Sequence, residues 1–304
     1  MRIAVLGGGA MGALYGGYLS RKHEVVIVDV NAALVEKINR EGLVISEPDG
    51  SKAVYHPQAA VNTEGMAPAD LIIVFVKAMF SRSALAANRS LIGKDTYIMT
   101  LQNGSGHERT LLEFCDRAHV VIGTTQHNSA VTGLGEIRHG GSGMTHVGCI
   151  EGDVNRLAPI AEALTECGLE ADCSANVMKL IWNKMFTNVS ASVLTGVLQV
   201  PMGFIVKDPN AWTLCERLVR EAVAVAAGEG LDFDADGKVA EVRAVCEKSP
   251  GGITSICADL AKGCKTEVDT ISGSVVAASR RNGVPAPTHE AMVALVHAME
   301  GKQS

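Results

Sequence analysis

Apolar positions are distributed in two different ways along the chain, and each half predicts its own architecture. In the first half, short apolar runs alternate with segments of helical spacing: RIAVL (2–6), EVVIVD (24–29), LIIVFV (71–76), TYIMTL (96–101) and VVIGT (120–124). Runs of this kind predict parallel strands buried on both faces, covered by helices at about 11–20, 32–41, 81–90 and 108–114. A strand near 145–150, a helix near 155–167 and a short strand near 170–173 complete the sheet. The pattern predicts an α/β domain with a doubly wound parallel sheet.

From about residue 176 the strand signal fades. Spacing near 3.6 takes over at 176–197, 210–229, 235–247, 254–282 and 287–299. The breaks EGLDFDADG (229–237), KSPGG (248–252) and NGVPAP (282–287) are rich in Gly, Pro, Asp and Asn, which is turn chemistry. The expected organisation is a nucleotide-type domain over 1–173 and an all-helical C-terminal domain over 174–304. A chain of 304 residues is long enough for both.

Composition then narrows the function classes. Hydrophobic residues make up 47% and charged residues 20%, as in ordinary globular proteins. The formal charge of -6, with no clustered Lys and Arg, argues against nucleic acid as a partner. The eight cysteines are dispersed, without a CxxC pair or zinc-like spacing, and read as reduced packing residues. HGGSGMTH (139–146) puts loop glycines between its histidines, so neither a metal nor His-based catalysis is expected. No apolar run approaches the ~18 residues of a membrane span, and MRIAVLGGGAMG begins on a strand without signal-peptide features. A cytoplasmic location is the default expectation, and the helical half has apolar surface enough for a homodimer.

GGGAMG (7–12) follows the first strand, opens the first helix and matches GxGxxG, the context in which the motif signifies dinucleotide binding. Gly7 allows the tight turn, Gly9 lets backbone approach a pyrophosphate, and Gly12 lets the helix pack on the strand. Ala10 and Met11 complete the turn at the helix N-terminus, where N–H groups and the dipole meet the anion. Asp29 ends the second strand, where a carboxylate can accept from the adenosine ribose hydroxyls, and it favours NAD(H) over a 2'-phosphate. Asp29 could also cap the helix that follows it. Lys77 and Asn103 stand at the carboxyl ends of predicted strands, the ligand-binding edge of such sheets; a solvated loop lysine and a turn-forming Asn-Gly are the plainer readings.

In WNKMFTN and the residues after it, Lys184, Asn188 and Ser192 recur at intervals of four and line one stripe of a helix. Mid-helix lysines usually snorkel to water. Here Trp182, Met185, Phe186 and Val189 surround the stripe with apolar surface. A desolvated lysine has a lowered pKa and can protonate a carbonyl oxygen as hydride reaches the carbon.

Together GGGAMG, VK (76–77), QNG (102–104), GTTQH (123–127), WNKMFTN (182–188) and TSICADLAKGCKTEVDTISG (254–273) resemble the ketopantoate reductase (2-dehydropantoate 2-reductase) family over nearly the whole chain. The last two are the specific ones. The resemblance implies a Rossmann-type domain and reduction of a small 2-oxo acid by a nicotinamide cofactor. It implies Lys184 as general acid, Glu267 beside it or on substrate and cofactor hydroxyls, and Asn103 bridging cofactor and substrate. It also implies Asn188 on the distal hydroxyl, Ser255 on the carboxylate and Lys77 on the cofactor. Two departures stand out. Ser192 replaces a frequent second asparagine, and Asp29 stands where many members, which use NADPH, have a basic or neutral residue. Both favour an alternative within the family, an NAD-dependent D-2-hydroxyacid dehydrogenase for branched or aromatic 2-oxo acids. The β-hydroxyacid dehydrogenases also place Lys and Asn four apart, but SANVMKLIWNK lacks their glycine-rich segment. A nicotinamide sensor without catalysis is the alternative from a different class.

Overall fold

A computed structural model describes residues 1–302, and these fall into two units: Met1–Gln102 with His107–Met178, and Asn103–Gly106 with residue 179 onward. The first unit has eight strands in its main sheet: β1 (Arg2–Leu6), β2 (Glu24–Val28), β5 (Gln58–Ala60), β6 (Leu71–Val74), β7 (Tyr97–Thr100), β8 (Val120–Thr125), β11 (Thr145–Cys149) and β12 (Ala171–Cys173). Their order is β12-β11-β8-β7-β6-β1-β2-β5, and every pairing is parallel except β8 with β11. β6 is buried at every residue, as a strand covered on both faces must be. The helices of this unit are α1 (Ala10–Leu19), α2 (Ala32–Glu41), α3 (Ser81–Ala87), α4 (Glu108–Leu111) and α5 (Ala158–Thr165).

The apolar pattern did not foretell β5 or a second sheet, β4-β3-β10-β9, made of β3 (Leu43–Ser46), β4 (Lys52–Tyr55), β9 (Asn128–Gly133) and β10 (Glu136–Gly141). These strands are short and mostly half-exposed, so they carry little continuous apolar signal. Their presence explains α1. Gly12 to Leu19 are all buried, which is what a helix apolar on every side requires. A Cβ on Gly16 would lie 2.6 Å from the Ile27 side chain of the main sheet, and one on Gly17 would lie 2.9 Å from Ile45 of the second. One glycine thus faces each layer. A buried polar cluster joins the same parts: Tyr18 donates to Glu47 at 2.5 Å, the His139 ring meets Glu47 at 2.9 Å, and His127 meets His139 at 3.1 Å.

The second unit is helical. α6 (Val177–Thr187), which starts in the last residues of the first unit, is followed by α7 (Val193–Leu198), α8 (Met202–Lys207), α9 (Pro209–Gly228), α10 (Ala235–Lys248), α11 (Ser255–Ala261), α12 (Ser272–Asn282) and α13 (Pro287–Gly301). Long α9 is the centre, with Leu218, Val219, Ala222, Val225 and Ala226 fully buried. Its start is fixed by Asp208, which accepts from the N–H groups of Asn210 and Ala211 ahead of a first-turn proline. The expected helix over 254–282 is broken: α11 ends at Ala261, and 262–271 forms an irregular connection before α12. Within that segment Thr266 donates its hydroxyl and backbone N–H to Glu300 of α13, and in an uninterrupted helix that N–H would instead go to the carbonyl four residues back. α8 was not expected either, since GFIV is short and follows a proline. The eight thiols are unpaired; Cys264 is exposed, so the packing reading does not hold for it.

Candidate active site

In the first unit the glycine turn has the shape its spacing implies. Gly7 has φ +102°, and a Cβ there would lie 2.8 Å from the Val76 nitrogen. A Cβ on Gly12 would lie 1.8 Å from the Gly7 carbonyl oxygen, so the first turn of α1 packs directly on the loop. Among the described residues nothing lies within 4 Å of a Cβ position at Gly9, and no side chain caps α1. Backbone N–H groups of Ala10, Met11 and Gly12 at an uncapped helix start, beside open space, suit a pyrophosphate. The residues therefore fit a dinucleotide.

Asp29, the residue expected at the adenosine ribose, has a structural duty in the turn. Its Oδ2 accepts the Gly8 N–H at 2.7 Å, and its Oδ1 accepts the Asn31 N–H at 2.9 Å. The cap of α2 is Asn31, whose Oδ1 accepts from Ala33 and Leu34. Each carboxylate oxygen keeps a lone pair for a ribose hydroxyl. Lys77 is half-buried after β6 and precedes a 3₁₀ turn, Ala78–Phe80. The loop that carries it is held by Gln102, which the sequence offered only as part of QNG (102–104) and without a role of its own. Gln102 donates its amide to the Val76 carbonyl and to Ser81 at 3.0 Å, and accepts from Thr100 at 2.8 Å. The signal for it was present, a polar side chain between Leu101 and the Asn-Gly pair.

In the second unit Lys184 is half-buried on α6, and burial pushes its ammonium down from the ordinary 10.5 to about 8. Trp182, Met185 and Phe186 around it are buried. Beyond Thr187 the helix changes form: Asn188–Ser192 is a π-turn before α7 resumes. Its i→i+5 bonds fit more residues into the turn than the 3.6 of an α-helix. The forward drift of residues four apart is thereby offset, and the Lys184, Asn188 and Ser192 stripe runs straighter than in an uninterrupted helix. Ser192 is 3% exposed, and Asn188 is half-buried.

Ser255 is exposed at the first position of α11. It does not cap that helix; Thr254 does, accepting the Cys257 N–H at 3.3 Å. Glu267 is half-buried in the irregular segment and not on a helix. Asn103, although it follows β7 in sequence, groups with the second unit. Gly104 at φ +101° lets the loop come so close that a Cβ would lie 2.0 Å from the Thr270 carbonyl oxygen. Ser105 N–H donates to that oxygen at 3.0 Å, and the Thr270 hydroxyl donates to the Glu267 carbonyl at 3.2 Å. Asn103 and Glu267 are thus linked through Thr270, which the sequence reading did not single out.

Comparison with known proteins agrees with this geometry. Residues 3–152 match the family "Ketopantoate reductase PanE/ApbA", and residues 176–300 match "Ketopantoate reductase PanE/ApbA C terminal". A 2-dehydropantoate 2-reductase of Halobacterium salinarum is 32% identical over 299 residues, covering 97% of this chain and 98% of the relative. Among solved structures, D-mandelate dehydrogenase with NADH and anilino(oxo)acetate superposes with a TM-score of 0.93 at 30% identity, covering 100% of this chain and 99% of that one. A PanE/ApbA family ketopantoate reductase from Ralstonia eutropha gives a TM-score of 0.91 at 27% identity, with the same coverage. The chain belongs to the ketopantoate reductase family of oxidoreductases.

Proposed function

We propose that this protein reduces the 2-oxo group of a small 2-oxo acid, 2-dehydropantoate to pantoate, with NADH as the preferred donor and Lys184 as general acid. The observation that carries the reading is the half-buried lysine lowered to about 8, on one stripe with Asn188 and Ser192. A proton donor works best with a pKa near the operating pH, and burial moves this amine toward that range.

Residues 1–173 hold the dinucleotide and 174–304 hold the acid. When bound, the reduced nicotinamide supplies a hydride. The N-terminus of α1 holds the pyrophosphate, Asp29 accepts from the adenosine ribose, and Lys77 contacts the cofactor. Ser255 takes the carboxylate of the acid, Asn188 and Ser192 take its distal polar group, and Asn103 orients both partners. Lys184 gives its Nζ proton to the carbonyl oxygen as that oxygen gains negative charge, and its neutral amine takes the proton back in the reverse direction. Glu267 supports the charged form of Lys184 or holds substrate and cofactor hydroxyls.

A second reading is favoured by Asp29, by the shorter Ser192 and by the likeness to a D-mandelate dehydrogenase solved with NADH. In it the substrate is a branched or aromatic 2-oxo acid and the product a D-2-hydroxy acid. Initial rates of NADH and NADPH oxidation with ketopantoate, 2-oxoisovalerate, 2-oxoisocaproate and benzoylformate separate the two. A dominant ketopantoate rate supports the first reading, and a dominant benzoylformate or 2-oxoisocaproate rate the second. Absence of turnover with every pair would sink both.

A further inference from the structure

The helix formed by α6, the π-turn and α7 is joined to α11 by a short chain of hydroxyls outside the residues assigned above. Thr195 is fully buried. Its Oγ1 lies 2.9 Å from the Ser192 carbonyl oxygen and 2.8 Å from Thr254 Oγ1. Thr254 Oγ1 lies 3.3 Å from the same carbonyl and accepts the Cys257 N–H at 3.3 Å. Two hydroxyls have only two protons to distribute over these contacts. The carbonyl can only accept, and its shorter contact assigns the Thr195 proton to it. Thr254 then donates to Thr195. The chain therefore runs one way, from Cys257 N–H to Thr254, from Thr254 to Thr195, and from Thr195 to the Ser192 carbonyl.

Both ends of this chain reach the site. At one end it fixes the last residue of the π-turn, which aligns Ser192 with Asn188. At the other it is the N-cap that starts α11, placing Ser255 at the first helical position. The helices are also in close contact here, because a Cβ on Gly196 would lie 2.4 Å from the Ile256 side chain. We propose that Thr195 and Thr254 are positioning residues that set the separation of Asn188 and Ser192 from Ser255, and with it the length of 2-oxo acid accepted. This rests on the assignment of those three residues to the acid.

Thr195→Val keeps the shape and removes the link, and Thr195→Ser restores the hydroxyl. Thr254→Asp keeps a capping acceptor, has no proton to donate to Thr195 when ionised and serves as the second variant if Thr195→Val does not fold. Loss of one buried hydrogen bond predicts a rise of about tenfold in KM for the preferred 2-oxo acid in Thr195→Val and Thr254→Asp. The Kd for NADH should stay within twofold, and Thr195→Ser should return KM to the wild-type value. An unchanged KM, or a KM and an NADH Kd that rise together, would overturn the proposal. Crystal structures of the variants judge it independently of turnover. A π-turn that relaxes or a Ser255 that shifts away from Ser192 supports it, and an unchanged Asn188, Ser192 and Ser255 arrangement rejects it. If the wild type reduces no 2-oxo acid, the functional reading fails while these structures still decide whether the chain positions the three residues.

Discussion

Replacing Lys184 by Met separates what the amine does for catalysis from what it does to the fold, since Met keeps an unbranched stem and removes the charge. Burial lowers the ammonium from 10.5 to about 8. At about 1.4 kcal/mol per tenfold change in proton affinity, holding Lys184 protonated in the fold costs about 3 kcal/mol. The direction with pH follows from which state binds more protons. Between pH 8 and 10.5 the unfolded chain keeps this proton and the folded one releases it, so wild-type stability rises through that window relative to the variant. Lys184→Met is therefore expected to be more stable than wild type by up to about 3 kcal/mol at neutral pH, with the gap closing toward pH 10.5. Urea unfolding of both proteins across this range measures the gap, and groups far from residue 184 cancel. Reduction by the variant should be slower by about 10²- to 10⁴-fold. Wild-type kcat/KM for reduction should fall tenfold per pH unit above about 8 and that for hydroxy-acid oxidation should rise toward the same value. A stability gap that stays flat with pH, or a Met variant that keeps most of the activity, would refute the assignment.

Other substitutions test the surrounding frame. Gly104 (φ +101°) and Gly106 (φ +90°) are matched in backbone, but only Gly104 would press a Cβ on Thr270. Gly104→Ala should lower kcat/KM for the oxo acid at least about tenfold and destabilise by roughly 2 kcal/mol more than Gly106→Ala, as read by steady-state rates and thermal unfolding. Asp29→Asn removes the negative charge that would oppose a 2'-phosphate; the ratio of kcat/KM for NADPH to that for NADH should rise about tenfold or more, and an unchanged ratio would show that Asp29 does not select the coenzyme. Glu47→Gln weakens the buried bonds to Tyr18 and His139 and should lower unfolding stability by roughly 1–3 kcal/mol while leaving the KM for the oxo acid unaltered.

What the sequence made legible was whatever depends on continuous burial or on glycine geometry. β1 and β6 announce themselves because both faces are covered, and GGGAMG because its steric demands fall on the residues that the turn needs. β3, β4, β9 and β10 were not legible, since a strand such as NSAVTG, mostly exposed, has no apolar run to display. The stripe of Lys184, Asn188 and Ser192 was found by counting in fours, but the π-turn was not, because nothing in NVSAS distinguishes i→i+5 from i→i+4 bonding without the helix that packs on it. Glu267 was found through a resemblance and misplaced by periodicity. The segment 262–271 mimics helical spacing, while its actual bonds run to Glu300 and to the Asn103 loop, far away in sequence.

In the function proposed above Asp29 selects the coenzyme, and its hydrogen bonds explain why such a residue would resist simple exchange. Its two oxygens already accept the N–H groups of Gly8 and Asn31, so the same carboxylate shapes the glycine turn and the entry to α2. An arginine at this position would offer a 2'-phosphate five donors but no acceptor, leaving both N–H groups to find other partners. Asparagine keeps one acceptor and can satisfy only one of them well. On that proposal, coenzyme preference and turn geometry would be coupled through one side chain. Substitutions here should lower kcat/KM with NADH even as the ratio moves toward NADPH, and recovery of full activity requires a second change that supplies the missing acceptor near Gly8.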